Sequence, residues 1–287
     1  MDQRFDRAGE DVGNIVKLEH INVTIPDQRL ATLFYVSGLG LTRDPYLMTG
    51  VDNMWVNVGE SQFHLPTDAP QVFRGTIGLV VPELTALVAR LRRIEPMLVG
   101  TRFSYAPHDA FVDTTCPWGN RIRCHAADSM RAGGRTLGMA YLQFDVRRGT
   151  APAIASFYRE MLDAPSRVEG DAAIVTVGAA QALRFVESRS LPAEYDGHHL
   201  QIYLADFSGP YRKLVERGLV SRETDEHEYR FIDIVDLATG AVQFQIEHEV
   251  RSMRHPLYGR PLVNRNPAQT NQHYAPGHET LAWSMEA

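Results

Sequence analysis

Cysteine is scarce in this 287-residue chain, which contains only Cys116 and Cys124. Two cysteines are too few for the disulfide framework of a small secreted domain. They lie eight residues apart on what the sequence predicts to be one hairpin. Three states are compatible with this spacing: a disulfide, half of a metal site, or two reduced thiols. We favour reduced thiols in a reducing compartment.

Long apolar segments and concentrated positive charge are also missing. No apolar run approaches the ~20 residues that a membrane-spanning helix needs, and the N-terminal MDQRFDRAGEDVGN is polar where a signal peptide is apolar. The net charge is −6, and no block of lysine or arginine occurs. Nucleic acids and anionic membranes are bound through clustered positive charge, so we expect neither as a partner. The sequence predicts a cytoplasmic globular protein.

Two kinds of segment recur along the chain. The first is an alternating apolar strand that leads into an amphipathic helix, and it begins near residues 18, 75, 138 and 198. The second is a glycine turn followed by an alternating strand. Its glycines are Gly59, Gly119, Gly178 and Gly240. Because equivalent positions recur about every 60 residues, the sequence predicts four tandem β-α-β-β-β modules and an α+β fold.

The modules also form a duplicated pair, because Phe34-Tyr35 and Phe157-Tyr158 fall at the same point of the first and third helices. This divides the chain into five predicted segments. They are an N-terminal extension (1–16), a first module pair (17–126), a linker (127–136), a second module pair (137–251) and an extended C-terminal tail (252–287).

This arrangement, with HINVTIPD, FY and GLGL in the first module, resembles the vicinal oxygen chelate superfamily. That group includes glyoxalase I, extradiol ring-cleavage dioxygenases and bleomycin-binding proteins, and the resemblance covers residues 17–250. It implies that modules pair into curled mixed sheets, so that four modules form two cups. It also implies that metal ligands come from the first and last strands of paired modules, whose alternate side chains point into the cup.

Carried over onto this chain, the resemblance places His20 and His64 at the ligand positions of module one. It places His199 and Gln245 at those of module four. Modules two and three have no plausible ligand at their four positions, which are Thr76, Arg123, Ala140 and Arg184. We therefore expect modules one and four to share one cup, with four ligands for one divalent transition metal, which is Fe, Mn, Zn, Ni or Co.

Three imidazoles and an amide oxygen are neutral, so such an ion keeps its full charge and suits Lewis-acid work on a carbonyl, enediolate or alkoxide. Glu247 lies two residues beyond Gln245 on the same strand face, and it is either the general base or a further ligand. Arg123 and Arg184, in the other cup, bind a substrate carboxylate or phosphate. Plain surface charge is the alternative for both arginines.

Each histidine also has an ordinary structural alternative as a buried, hydrogen-bonded core residue. Either His198 or His199 faces the cup, since the two are neighbours. We expect His125 and His248 at the surface or in loops.

The preferred function is a metal-dependent lyase or isomerase of the glyoxalase type, acting on a small oxygenated metabolite. An extradiol-type dioxygenase is one alternative, although Ala140 and Gln245 break the two-histidine, one-carboxylate set of those enzymes. Glyoxalase I sites carry carboxylates on the closing strands, where this chain has His64 and Gln245. A metal-free binding protein of the bleomycin-resistance type is the other alternative, and a homodimer is considered as the assembly.

Overall fold

The structure is a computed structural model that describes residues 11–44, 47, 52–129, 133–190, 192–260 and 262. Parts of all five predicted segments lie outside the described residues. They are residues 1–10 of the N-terminal extension, 45–46 and 48–51 of the first module pair, 130–132 of the linker, 191 of the second module pair, and the tail at 261 and from 263 onward.

Each predicted module folds as a strand, a helix and three further strands. Module one comprises β1 (Ile15–Asn22), α1 (Gln28–Ala31) continuing as π-helical turns (Thr32–Gly38), β2 (Thr42–Arg43), β3 (Asn53–Val58) and β4 (Ser61–Pro66). Module two comprises β5 (Gly75–Val81), α2 (Leu84–Ile94) with a 3-10 turn (Glu95–Met97), β6 (Ser104–Pro107), β7 (Phe111–Thr115) and β8 (Arg121–Ala126). Module three comprises β9 (Gly138–Arg147), α3 (Ala151–Leu162), β10 (Ser166–Glu169), β11 (Ala172–Thr176) and β12 (Ala182–Ser188). Module four comprises β13 (His199–Leu204), α4 (Ser208–Glu216), β14 (Val220–Asp225), β15 (Glu228–Val235) and β16 (Val242–Ser252).

Within the described residues the strands form two eight-stranded mixed sheets. The first has the order β14-β15-β16-β13-β1-β4-β3-β2, and the second has the order β10-β11-β12-β9-β5-β8-β7-β6. β1 and β13 pair antiparallel at the centre of the first sheet, and β5 and β9 do so in the second. Module one therefore shares a sheet with module four, and module two with module three. The predicted α+β fold with two cups is confirmed, and the strand order is that of the crossed pairing.

The helices bury their apolar stripes against the sheets in a hydrophobic core that includes residues of all four modules. In α2, Leu87 and Leu91 are fully buried. Glu83 is the N-cap of that helix, because its carboxylate accepts the backbone N–H groups of Thr85 and Ala86 at 2.8 Å each. None of the helices in the described residues has both the length and the apolar character needed to cross a membrane.

The recurring glycines occupy turns that need a left-handed backbone. Gly59 and Gly240 have φ values of 65° and 74°, a region that other residues enter at a cost. At Gly59 a side chain would also collide with the neighbouring module, because a Cβ there would lie 2.2 Å from the carbonyl oxygen of Leu137. Both requirements explain the glycine before β4.

Cys116 and Cys124 are both buried free thiols, as the composition predicted. The sulfur of Cys116 accepts the backbone N–H of Asn120 at 3.3 Å. Burial raises the pKa of the Cys124 thiol to about 12, so this thiol is protonated and unreactive at neutral pH.

Candidate metal centre

Three histidines meet on the polar face of the first sheet, one each from β1, β4 and β13. His20, His64 and His199 each offer a ring nitrogen, and these three atoms lie within 4.8 Å of one another. The centroid of the His20 ring is 5.8 Å from that of His64 and 5.9 Å from that of His199. The fold thus brings together three side chains that are far apart in sequence.

The strand register explains this convergence. Asn22 on β1 lies opposite both His199 on β13 and His64 on β4. His20 precedes Asn22 by two residues and therefore lies on the same face of β1. The three rings approach one another from three adjacent strands.

His198 takes no part in this group. It immediately precedes β13 and is fully buried away from the three histidines, with its ring centroid 5.6 Å from that of Phe73. Its Nδ1 is 2.5 Å from the Asp196 carboxylate. Of the two neighbouring histidines, His199 is the one that faces the cup.

His20 is the histidine whose nitrogens most clearly lack partners. The residue is fully buried, and neither ring nitrogen makes a hydrogen bond to any part of the chain that is described. Nε2 of His199 also makes none. Burying a polar atom without a partner is costly, and imidazole nitrogen is a good ligand for divalent transition metals. These residues therefore fit a metal ion.

His64 is oriented by its neighbours. Its ring stacks on Trp55 at 3.8 Å between centroids. Its Nδ1 lies 2.6 Å from the Asn22 amide nitrogen, and its Nε2 lies 2.8 Å from the Asn53 side-chain oxygen. Burial lowers the pKa of His64 to about 2 and also lowers the pKa of His20. Both imidazoles are therefore neutral at neutral pH, which is the form that binds metal.

The predicted fourth ligand, Gln245, is not brought to the histidines. It is exposed, and its amide nitrogen donates to Asp233 on the neighbouring strand at 2.9 Å. The residue opposite His199 is Glu247, two positions further along β16. The prediction of Gln245 needs correction because the register of β16 differs from the one that the repeat suggested.

Glu249 occupies the corresponding place in module four. His64 lies opposite Asn22, which is two residues after the first-strand histidine of its own module. Glu249 lies opposite Gln201, which is likewise two residues after His199. The carboxylate Oε2 of Glu249 is 3.3 Å from Nε2 of His199. A carboxylate therefore stands beside the histidines where the sequence predicted an amide.

Two arginines hold this carboxylate. Nη2 of Arg230 donates to Glu249 at 2.6 Å, and Nη2 of Arg251 lies 2.5 Å from its other oxygen. Burial acts to raise the pKa of Glu249, but the contact with His199 at 3.3 Å and the nearby positive charge, including Arg251, lower it well below its usual range. Glu249 is ionised at neutral pH.

Glu247, the predicted general base, lies at the edge of the group. Its Oε2 is 3.5 Å from Nδ1 of His199 and 3.2 Å from Nη1 of Arg230. The side chain is 20% exposed, so Glu247 is open to small molecules while Glu249, 3% exposed, is not. Its backbone N–H donates to the hydroxyl of Tyr195 at 3.1 Å.

The cup has an excess of negative charge. The carboxylates of the charge network beside the histidines are Glu19, Glu228, Glu247 and Glu249. Their cationic partners in the described residues are Arg230, Arg251 and Lys17. Four negative charges face three positive ones, so the site favours an added cation.

A segment of the C-terminal tail lies across this cup. Arg260 donates to Asp44 at 3.0 Å and to Gln62 at 3.4 Å, and both charged side chains are almost fully buried. Tyr258 packs on Tyr203 with 4.8 Å between ring centroids. The sequence predicted an extended tail here but gave no signal that Arg260 would enter the cup.

The two arginines of the second cup are on β8 and β12. Nε and Nη2 of Arg123 donate to the two carboxylate oxygens of Asp113 at 2.7 and 2.9 Å. That contact uses the paired donors with which arginine binds a carboxylate or phosphate. The guanidinium of Arg184 lies 5.9 Å from the ring of Tyr141, and this ring fills the space above Gly78, where a Cβ would lie 2.2 Å from it. Their substrate role stays a prediction, and the Asp113 contact weakens it for Arg123.

Two other histidines were wrongly predicted to be at the surface or in loops. His248 is fully buried, with Nε2 2.7 Å from the Tyr158 hydroxyl and Nδ1 donating to a backbone carbonyl at 2.9 Å. His125 is buried on β8, with Nε2 3.0 Å from the Tyr141 hydroxyl. His248 is an ordinary core histidine because both of its nitrogens are bonded, and His20 differs from it in this respect.

Comparison with solved structures identifies the fold. Glyoxalase I from Zea mays aligns with a TM-score of 0.57 and 10% identity, over 82% of this chain and 92% of that chain. A putative dioxygenase from Bacillus subtilis subsp. subtilis str. 168 aligns with a TM-score of 0.56 and 12% identity, over 83% of this chain and 86% of that chain. The chain therefore shares the fold of these glyoxalase I and dioxygenase structures, as the resemblance implied. No protein-family model matches the chain, and no curated protein matches its sequence.

Proposed function

We propose that the cup of modules one and four binds one divalent transition metal through His20, His64, His199 and Glu249. The protein is then a metal-dependent enzyme of the vicinal oxygen chelate type that acts on a small oxygenated metabolite. The observation that carries this proposal is that both ring nitrogens of His20 and Nε2 of His199 are buried without a hydrogen bond, beside His64. An ordinary core histidine pairs both nitrogens, as His248 does. Since both nitrogens of His64 also have partners, ligation by His64 requires it to release Asn22 or Asn53.

The ligand set is three neutral imidazoles and one carboxylate, which suits Zn, Fe, Mn, Ni or Co. When bound, the ion supplies Lewis-acid polarisation of a substrate oxygen. Ligation by Glu249 requires one of its oxygens to exchange an arginine for the ion. Its contact with His199 at 3.3 Å places it close enough for a small side-chain rotation to achieve this.

Glu247 serves as the general base in this proposal. It is partly exposed, lies next to His199 and is held by Arg230, so it can accept a proton from a substrate in the cup. Trp55 supports the His64 ring by stacking, and Asn22 fixes its orientation. The burial of His20 keeps bulk water away from the ion.

A glyoxalase-like lyase or isomerase is the preferred reaction class. Four protein ligands leave few open coordination positions on the ion, and this suits polarisation of a substrate oxygen better than a reaction that needs several open positions. An extradiol-type dioxygenase is the second candidate, since Glu249 supplies the carboxylate that Gln245 lacks. A metal-free binding protein is the third, and it leaves the unpaired histidine nitrogens without explanation. The cytoplasmic location, the domain boundaries and a homodimer stay predictions.

Elemental analysis of protein purified without chelator tests the metal proposal. We expect about one equivalent of a transition metal in the wild type and its loss in His64→Ala. His125→Ala, a buried histidine of the second cup, is the matched control and should keep the metal. Absence of metal in the wild type after reconstitution with Fe, Mn, Ni, Co and Zn would contradict the proposal and favour the binding protein.

A further inference from the structure

A cavity of about 240 Å³ lies between the two connections that join the modules within each half of the chain. One is the connection from β4 to β5, which contributes Val72 and Arg74. The other is the connection from β12 to β13, which contributes Ser190 and Pro192. None of the three clustered histidines lines this cavity. It is therefore separate from the candidate metal centre, and what it binds does not depend on the proposed function.

Arg74 is a half-buried arginine that has no carboxylate partner among the described residues. Nη1 of its guanidinium lies 3.5 Å from the carbonyl oxygen of Ala193, and Nη2 donates to the carbonyl oxygen of Gln245. Nε is buried and makes no hydrogen bond in this part of the chain. The guanidinium also faces the rings of Tyr195 and Phe244, 5.1 and 4.3 Å from their centroids. None of these neighbours supplies a full negative charge.

Two other arginines show how this protein normally accommodates a buried guanidinium. Arg251 lies 2.5 Å from the carboxylate of Glu249, and Arg260 lies 3.0 Å from that of Asp44. Removing a charge from water is costly unless an opposite charge compensates it. Burial also lowers the pKa of Arg74. Arg74 therefore lacks the counter-charge that the other two arginines have.

The wall of the cavity has an excess of positive charge. Its charged residues, in the part of the chain that the structure describes, are Arg74, Arg121 and Asp145. Nη2 of Arg121 donates to Asp145 at 2.7 Å, so one carboxylate balances two guanidinium groups. The hydroxyl of Ser188, which also lines the cavity, accepts the backbone N–H of Ser190 at 3.2 Å. A hydroxyl that accepts in this way still has its own proton to donate to a ligand.

We propose that this cavity binds a small molecule through an oxyanion group, either a carboxylate or a phosphate, that Arg74 and Arg121 hold. Guanidinium groups bind both kinds of oxyanion through paired N–H donors. The long contact between Arg74 and Ala193 is the one that the anion replaces. The volume of the cavity is below the ~300–1,000 Å³ of pockets for drug-sized ligands, so the ligand is small. Val72 and Pro192 give the wall an apolar part that fits a short hydrocarbon portion.

Calorimetric titration of the metal-free protein with inorganic phosphate and, separately, with acetate tests the site. Metal-free protein is used so that an ion at the histidines does not capture the probe. Contacts with two guanidinium groups predict a Kd on the order of 1 mM for at least one of the probes. Binding of phosphate alone assigns a phosphate group to the ligand, and binding of acetate alone assigns a carboxylate. Absence of saturable binding of both probes up to about 50 mM, well above that Kd, would overturn the proposal.

Variants of the wall then locate the bound anion. Arg74→Met and Arg121→Met should each weaken binding about tenfold or more. Asp145→Asn should instead tighten it about threefold, because this variant removes the negative charge of the wall. The matched control is Arg147→Met, since Arg147 is exposed, donates to the carbonyl oxygen of Val242 at 3.1 Å and does not line the cavity.

The control should change the Kd by less than about twofold, because solvent screens a distant exposed charge. If Arg74→Met does not fold, Arg121→Met and Asp145→Asn decide the question, since both leave Arg74 and its backbone contacts in place. Unchanged affinity in these two variants, or an equal loss in Arg147→Met, would place the anion elsewhere and overturn the proposal.

Discussion

Replacing Glu249 should weaken metal binding strongly, whereas replacing Gln245 should not. The two residues lie on the same face of β16, four positions apart. Only Glu249 pairs with the residue two positions after the first-strand histidine of its module, as His64 does in module one. Four-ligand zinc sites bind with roughly 10–16 kcal/mol, so one ligand contributes on the order of 3 kcal/mol. Since 1.4 kcal/mol is a factor of ten, Glu249→Gln should raise the zinc Kd about 100-fold.

Glutamine keeps the shape of the side chain but removes the charge that Arg230 and Arg251 share. Removing one partner of a buried ion pair costs about 3–5 kcal/mol, so the variant should also unfold at lower urea concentration. The zinc Kd is therefore measured by competition with a fluorescent chelator, without denaturant, after circular dichroism confirms folding. Gln245→Ala, at an exposed site, should change the Kd less than twofold. A large loss in Gln245→Ala with none in Glu249→Gln would refute the register argument.

Three further predictions concern residues outside the ligand set. Arg260 and Asp44 form a nearly fully buried pair, so a double-mutant cycle in urea should give a coupling energy of about 1–3 kcal/mol, and additive losses would contradict the contact. Burial lowers the pKa of His248 to about 3, so its stabilising contribution is complete above its unfolded pKa near 6.5 and is lost as the pH falls towards 3. Between pH 4 and 6, the free energy of unfolding in urea should rise with pH more steeply in the wild type than in His248→Gln, by up to about 1.4 kcal/mol per pH unit. Equal slopes would exclude a neutral buried imidazole. Cys124 has its pKa raised to about 12, so a thiol reagent at pH 8 should label it only after unfolding, and rapid labelling of native protein would show that it is exposed.

The fold was predictable because its signals are local and repeated. Alternating apolar residues, amphipathic helices and positive-φ glycines such as Gly59 recur at a nearly constant spacing, and each signal depends only on neighbours in sequence. The crossed pairing was predictable for a chemical reason. Imidazoles occur at the strand positions of modules one and four, and one cup collects them only if those modules share a sheet.

Glu249, the proposed fourth ligand, was not predictable, because strand register depends on contacts between distant segments. His64 follows His20 by 44 residues, but Glu249 follows His199 by 50. The first hairpin strands differ in length, with two residues in β2 and six in β14, and the pairing of β15 with β16 contains two register shifts. Gln245 and Glu249 both satisfy the alternation of β16, so the alternation alone does not distinguish them.

The charge network and the cavity beside Arg74 were missed for a related reason. Arg230 and Arg251 look like surface residues in the sequence, since nothing local indicates that their strands lie beside carboxylates from β1 and β16. Arg74 is in an ordinary connection between two strands. Its lack of a carboxylate partner among the described residues is a property of the folded chain, and no residue pattern reports it.

Crystals soaked with zinc and measured at the zinc absorption edge offer the most direct test of the metal centre. The proposal predicts one anomalous peak in the first cup, about 2.0–2.1 Å from a ring nitrogen of each of His20, His64 and His199. The Glu249 carboxylate should have rotated from Arg230 towards that peak. A zinc-saturated crystal with no peak among these three histidines, or with its peak elsewhere, would contradict the proposal.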